Sequence, residues 1–177
     1  MGDLDGPRAP RAIDQPGLPG APIRKTRGSD ASQLASAADS TRLGTMGDGG
    51  HLDDPITGQH LTFMKTGAET GGDLLQVEVR LDAGGRVPRH AHLRQDERVE
   101  VIRGSLTARV GGRDHELRPG DRLDVPRRRL HVIRNAAEHE TRFVLEVRPA
   151  RHMEQAMKGL FAVMRPLGRI LRKASDR

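Results

Sequence analysis

The 177-residue sequence predicts an all-β domain, a sandwich or barrel, with an unstructured segment before it and one helix after it. Three observations carry this. From His60 to Pro149, short runs of alternating apolar residues recur with turn signals about every ten residues. Residues 1–50 show no helical or strand period. Residues 150–173 return to a helical period. The expected boundaries are therefore a disordered tail over 1–50, a barrel over 51–149 and an amphipathic helix over 150–177.

The tail is dominated by Gly, Pro, Ala, Asp and Arg, as in Pro16-Gly17-Leu18-Pro19-Gly20. Such a segment cannot bury enough apolar surface to offset its ordering entropy. A solvated tail is expected, with at most a short helix over 30–38 capped by Ser29 or Asp30.

The expected strands alternate through Leu61 and Phe63, then Leu75, Val77, Val79 and Leu81. Val99 and Val101 follow, then Leu106, Ala108 and Val110, then Leu123 and Val125, and last Phe143, Leu145 and Val147. These residues are the candidate core, because side chains two apart share a strand face. Gly111-Gly112 suits a two-residue hairpin turn. Pro119-Gly120 fits the centre of a type II turn.

In the last segment, Met153, Met157, Leu160, Met164, Leu167 and Leu171 form a stripe at heptad spacing. Pro166 should end or kink the helix. The stripe should pack on the barrel or on a second copy of the chain. Its basic flanks also fit an anionic membrane surface, a weaker reading.

Composition excludes several functions. There is no Cys, hence no disulfide or thiolate chemistry. There is no Trp or Tyr, and Phe63, Phe143 and Phe161 are the only aromatics. This argues against nucleic acid held by base stacking. The net charge of +6 is uneven: residues 151–177 hold 7 basic and 2 acidic residues. No apolar run approaches the roughly 20 residues of a membrane span. No hydrophobic signal segment opens the chain, so a cytoplasmic location is expected.

The chemistry centres on His90, His92 and Glu97. On a strand, His90 and His92 would project from one face. Imidazoles with a carboxylate form a ligand set for a divalent transition metal. Glu100 is a rival to Glu97, but Glu97 shares its parity with Val99 and Val101 and would point inward. His51, His60, His115, His139 and His152 lie in polar surroundings and are expected to be exposed.

The spacing goes further. Gly84-x5-His90-x-His92-x4-Glu97-x6-Gly104 forms one block, and Gly120-x5-Pro126 with His131-x3-Asn135 forms a second. Together they resemble the paired motifs of the cupin superfamily, over roughly residues 58–149. The first block fits at every fixed position. The second departs where the family has a turn glycine, here Arg128, so the turn before His131 is expected to be altered.

The resemblance implies a cupin antiparallel β-barrel, a jelly roll or double-stranded β-helix of six to eight strands. It implies one divalent metal ion, Fe, Mn, Ni or Zn, on His90, His92, Glu97 and His131. It also implies a small-molecule ligand and a homodimer. Arg127, Arg129 and Asn135 are candidate substrate contacts, the arginines because guanidinium groups would attract an anion. The expected activity is that of a metal-dependent dioxygenase or other oxidoreductase. The alternatives are a non-catalytic small-molecule binder, or a cupin isomerase or decarboxylase. A metal-free barrel with hydrogen-bonded histidines is the bland alternative for the site.

Overall fold

The structure is a computed structural model that describes residues 23–27 and 50–175, with the backbone alone described over 165–175. The described strands are β1 (Arg24–Arg27), β2 (His51–Asp54), β3 (Gln59–Lys65), β4 (Leu75–Leu81), β5 (Arg86–His90) and β6 (Asp96–Arg103). They continue with β7 (Leu106–Val110), β8 (Arg113–Leu117), β9 (Asp121–Val125), β10 (His131–Arg134) and β11 (Thr141–Arg148). One helix, α1 (Met153–Ser175), follows.

The strands form two antiparallel sheets. The larger runs β1-β9-β6-β11-β4-β3-β2 and the smaller β5-β10-β7-β8. Their inward faces share one apolar cluster: Leu75, Val77, Val99, Leu123 and Phe143 from the larger sheet meet Leu106, Val110, Leu117 and Ile133 from the smaller. Every residue expected in the core from alternation is buried. The chain folds this way because each strand has one apolar face and one polar face, and the two apolar faces cover each other.

The turns follow the glycines. Gly111 and Gly112 carry φ of 56° and 85° and close the β7–β8 hairpin. At Gly104, φ is 80° and a Cβ would come within 2.5 Å of Thr141 Oγ1, so both backbone and space require glycine.

In the described part of the tail the structure departs from the expectation. Arg24–Arg27 is a strand paired with β9, with Lys25 opposite Leu123. It has no buried side chain to announce it. Its hold is backbone pairing, a bond from Lys25 Nζ to the Glu116 carbonyl, and ion pairs from Lys25 and Arg27 to Asp121 at 3.1 and 3.8 Å. The possible helix over 30–38 lies outside the described residues.

The helix also corrects the sequence in two respects. It runs unbroken through Pro166. Its docked face is Met153, Met157 and Phe161, packed against the core, whereas Leu160 is 60% exposed. A heptad stripe drifts around a straight helix of 3.6 residues per turn, so Phe161, not Leu160, turns inward. Lys158 lies 5.5 Å over the Phe63 ring, which ties α1 to β3. Among the described residues no helix is long and apolar enough to cross a membrane.

Candidate metal centre

The site is assembled from both sheets. His90 ends β5 and sits directly opposite His131, the first residue of β10, in the smaller sheet. Glu97 is the second residue of β6 in the larger sheet, on the same face as Val99 and Val101, and is buried with them. Glu100 points the other way and pairs with Arg122. His92 lies in the connection between β5 and β6, not on a strand. Strand parity therefore does not explain its position. The connection crosses from one sheet to the other and carries the ring back toward Glu97.

The four donor groups converge. One ligand atom from each of His90, His92, Glu97 and His131 lies within 4.8 Å of all the others. His92 Nε2 is 2.8 Å from Glu97 Oε2, His90 Nε2 is 3.2 Å from His92 Nε2, and His131 Nε2 is 3.4 Å from Glu97 Oε1. Glu97 Oε1 and His131 Nε2 are buried with no hydrogen-bond partner. Buried polar atoms are normally satisfied, and two orphans facing one point call for a further partner there. Nitrogen donors with one carboxylate make that partner a divalent transition metal, so the residues present fit such an ion.

The rings are aimed by the backbone. His90 Nδ1 donates to the Pro88 carbonyl at 2.8 Å and His131 Nδ1 to the Arg129 carbonyl at 2.9 Å. Each bond fixes the tautomer that leaves an Nε2 lone pair directed into the site. Burial pushes the Glu97 carboxyl up, but the facing rings of His131, His90 and His92 outweigh it and hold it well below the usual carboxylate range. Burial pulls the His131 imidazole down, and the facing Glu97 carboxylate overcomes this and raises it. The side chains of Glu97 and His131 are 1% and 0% exposed, against 11% for His92 and 32% for His90. Access is therefore over the His90–His92 side.

Arg128 corrects the expectation of an altered turn. Its φ is 65°, in the left-handed region, where the cupin motif has glycine. Its N–H donates to the His92 carbonyl at 2.6 Å. The turn is kept, at the strain of a non-glycine residue.

The three expected substrate contacts are placed differently from one another. Arg127 is committed to Asp96 through Nε and Nη2 at 3.2 and 2.8 Å. Asn135 lies past the end of β10 remote from His131 and is buried. Its Nδ2 donates to the carbonyls of Leu81, Asp82 and His139, and its Oδ1 accepts from Ala137 N–H and Thr141 Oγ1. Asn135 is thus a fastener between β10, the β4–β5 turn and β11, with nothing left for a ligand. Arg129 is half-buried and adjoins Leu130 and His131. The exposure expected of the other histidines fails at two of them: His60 and His115 are half-buried.

A groove of about 350 Å³ touches Glu97, Val125 and Pro126 at its inner end. Its charged lining, Arg24, Arg98, Asp124, Glu146 and Arg148, is not the donor set of the site. Arg98 and Asp124 pair with each other at 2.6 Å, on the face opposite Glu97.

Residues 77–147 match the sequence model of the cupin domain family. Those residues form a cupin domain. Solved structures agree on the fold. KdgF from Halomonas sp. is 24% identical with a TM-score of 0.51, covering 56% of this chain and 86% of that one. An RmlC-like cupin from Shewanella frigidimarina is 22% identical with a TM-score of 0.51, covering 63% and 94%. A predicted oxalate decarboxylase from Thermotoga maritima is 17% identical with a TM-score of 0.50, covering 51% and 80%. Comparison with curated proteins gives no match.

Proposed function

We propose that this cupin holds one divalent transition metal on His90, His92, Glu97 and His131, and acts on a small anionic molecule as a metal-dependent oxidoreductase, most simply a dioxygenase. The observation that carries the reading is the pair of orphaned buried atoms, Glu97 Oε1 and His131 Nε2, at the meeting point of four donors. A bound ion would supply Lewis acidity and, as Fe(II) or Mn(II), a redox couple.

The rest is the work of the chain. Glu97 contributes the one fixed negative charge, and three neutral imidazoles leave the loaded centre with net positive charge. That charge favours an anion. His90 and His131 are locked by the Pro88 and Arg129 carbonyls, so the donors need not reorganise when a ligand arrives. Substrate approaches over His90 and His92, where the site is open. Arg129, two residues before His131 in the chain, is the candidate anchor for a carboxylate. Arg127 would first have to leave Asp96, which makes it a poor one.

A decarboxylase is the second reading. It is favoured by the fold shared with a protein described as a predicted oxalate decarboxylase. Elemental analysis of protein purified without added metal tests the first step. O2 uptake and CO2 release, measured against a panel of small carboxylic acids, then separate the two activities. Protein that carries no transition metal, and gains none on reconstitution, would overturn both.

A further inference from the structure

A second cluster of donors lies on the outer face of the larger sheet. His51 and Asp53 are two apart on β2 and share a face, and His60 on β3 sits directly opposite Asp53. The neighbours of His60 in alternation, Leu61 and Phe63, face the core, so this trio faces outward. One carboxylate oxygen collects both rings: Asp53 Oδ1 is 2.8 Å from His51 Nε2 and 2.6 Å from His60 Nδ1. The rings lie nearly parallel, 10° apart with centroids separated by 6.4 Å. The second nitrogen of His60, Nε2, is 3.2 Å from Asp82 Oδ1, in the turn after β4.

Hydrogen-bond accounting shows what the cluster can take. A neutral imidazole has one N–H. With that proton at Nε2 toward Asp82, the Nδ1 lone pair faces the Asp53 carboxylate at 2.6 Å. In that tautomer the space between the two lone pairs takes a cation, either a second proton or a metal ion. We propose that His51 Nε2, His60 Nδ1 and Asp53 form a second divalent-metal site, suited to Zn²⁺, with Asp82 orienting His60 from behind. Two imidazoles and one carboxylate are a zinc donor set, and three protein ligands leave the fourth position to water. Asp82 then has the role of the carboxylate that fixes a ligating histidine.

The site has a structural consequence. β2 is a four-residue edge strand, and it is the strand on which α1 rests. A metal bound across β2 and β3 clips that edge to the sheet. The site is separate from the barrel centre, and its test does not depend on that centre.

The test uses the full chain carrying His90→Ala and His92→Ala, so that the barrel cannot contribute. Chelator-stripped protein is titrated with Zn²⁺ by calorimetry, and its thermal melt is followed with and without Zn²⁺. One Zn²⁺ per chain is expected, with a higher melting temperature when it is bound. Asp82→Asn should weaken binding about tenfold. His51→Ala and Asp53→Asn should remove it. His51 is exposed, so its loss leaves the fold intact if the other variants do not express. No Zn²⁺ binding in the micromolar range, or binding that survives His51→Ala and Asp53→Asn, would overturn the proposal.

Discussion

Two clusters in this molecule use the same side chains in opposite surroundings. In the barrel, three imidazoles face Glu97, whose side chain is 1% exposed, and two of the donor atoms have no partner. On the outer face, two imidazoles face Asp53, whose side chain is 42% exposed, with water at hand. The difference teaches that residue type sets what a cluster can bind, while burial sets what it costs to leave the cluster unfilled. Removing a donor should therefore be severe inside and mild outside.

The largest effect is expected at His131. His131→Ala should lower metal affinity by at least about 100-fold, since a direct ligand outweighs an orienting partner. It also leaves the Glu97 carboxylate buried beside a void, at a cost of about 3 kcal/mol in folding stability. His51→Ala in metal-free protein should change stability by less than about 0.5 kcal/mol. Chemical denaturation of both variants, stripped of metal, measures the contrast. Equal losses would mean that burial does not separate the two clusters.

The same contrast holds for neighbours on α1. Phe161 is 4% exposed and packs with the core, while Leu160 is 60% exposed. Phe161→Ala should cost about 3 kcal/mol, and Leu160→Ala less than about 0.5 kcal/mol. Thermal melts of the two single variants check this. A larger loss at Leu160 would mean that this exposed face is covered in solution, as it would be if the stripe packed on a second copy of the chain.

These cases show what was legible. Alternation marked the core strands, and parity put Glu97 inside and Glu100 outside, because a period of two leaves no ambiguity once one face is apolar. Edge strands escaped. Arg24–Arg27 and His51–Asp54 lack an apolar alternation; the first is held by backbone pairing to β9 and ion pairs to Asp121, remote in sequence, and the second by backbone pairing to β3. Strand parity was the wrong reason to place His92 beside His90, since it comes back on a connection and not on a strand. The bonds that commit Asn135 were not legible either. Its partners, Leu81 and Asp82, lie more than fifty residues upstream, and no local pattern reveals them. The absence of glycine at 128 was visible, but not that the backbone would hold an arginine there in the left-handed conformation.

That arginine gives a smaller prediction. Arg128 is exposed, so its side chain contributes little packing, while its backbone is strained. Relief of the strain, about 1–2 kcal/mol for a left-handed residue, is partly offset by the greater chain entropy of glycine. Arg128→Gly should stabilise the fold by about 0.5–1 kcal/mol. It should leave metal content unchanged, because the His92 and Arg129 carbonyls bond to backbone and ring nitrogens and not to the replaced side chain. A destabilised variant would mean that the guanidinium holds the turn.

The smallest effect concerns β1, which is all exposed and leans on one buried carboxylate. Asp121 is 3% exposed, accepts the Arg118 N–H at 3.0 Å and pairs with Lys25. Burial raises its carboxyl, but the Arg118 N–H and the Lys25 ammonium win and hold it below its ordinary range. A carboxyl depressed in the folded state stabilises that state fully above its unfolded value, about 3.9. The contribution is lost as pH falls through the lower, folded value. β1 should therefore loosen first on acidification, with faster amide exchange at Lys25 and Thr26 below about pH 4, while β9 keeps its protection through β6. Asp121→Asn retains an acceptor for the Arg118 N–H and removes the charge. In that variant exchange at β1 should already be fast at neutral pH and change little with acid. If exchange at β1 instead depends on pH as it does in the parent chain, another carboxylate holds the strand, and the ion pairs to Asp121 contribute nothing to its stability.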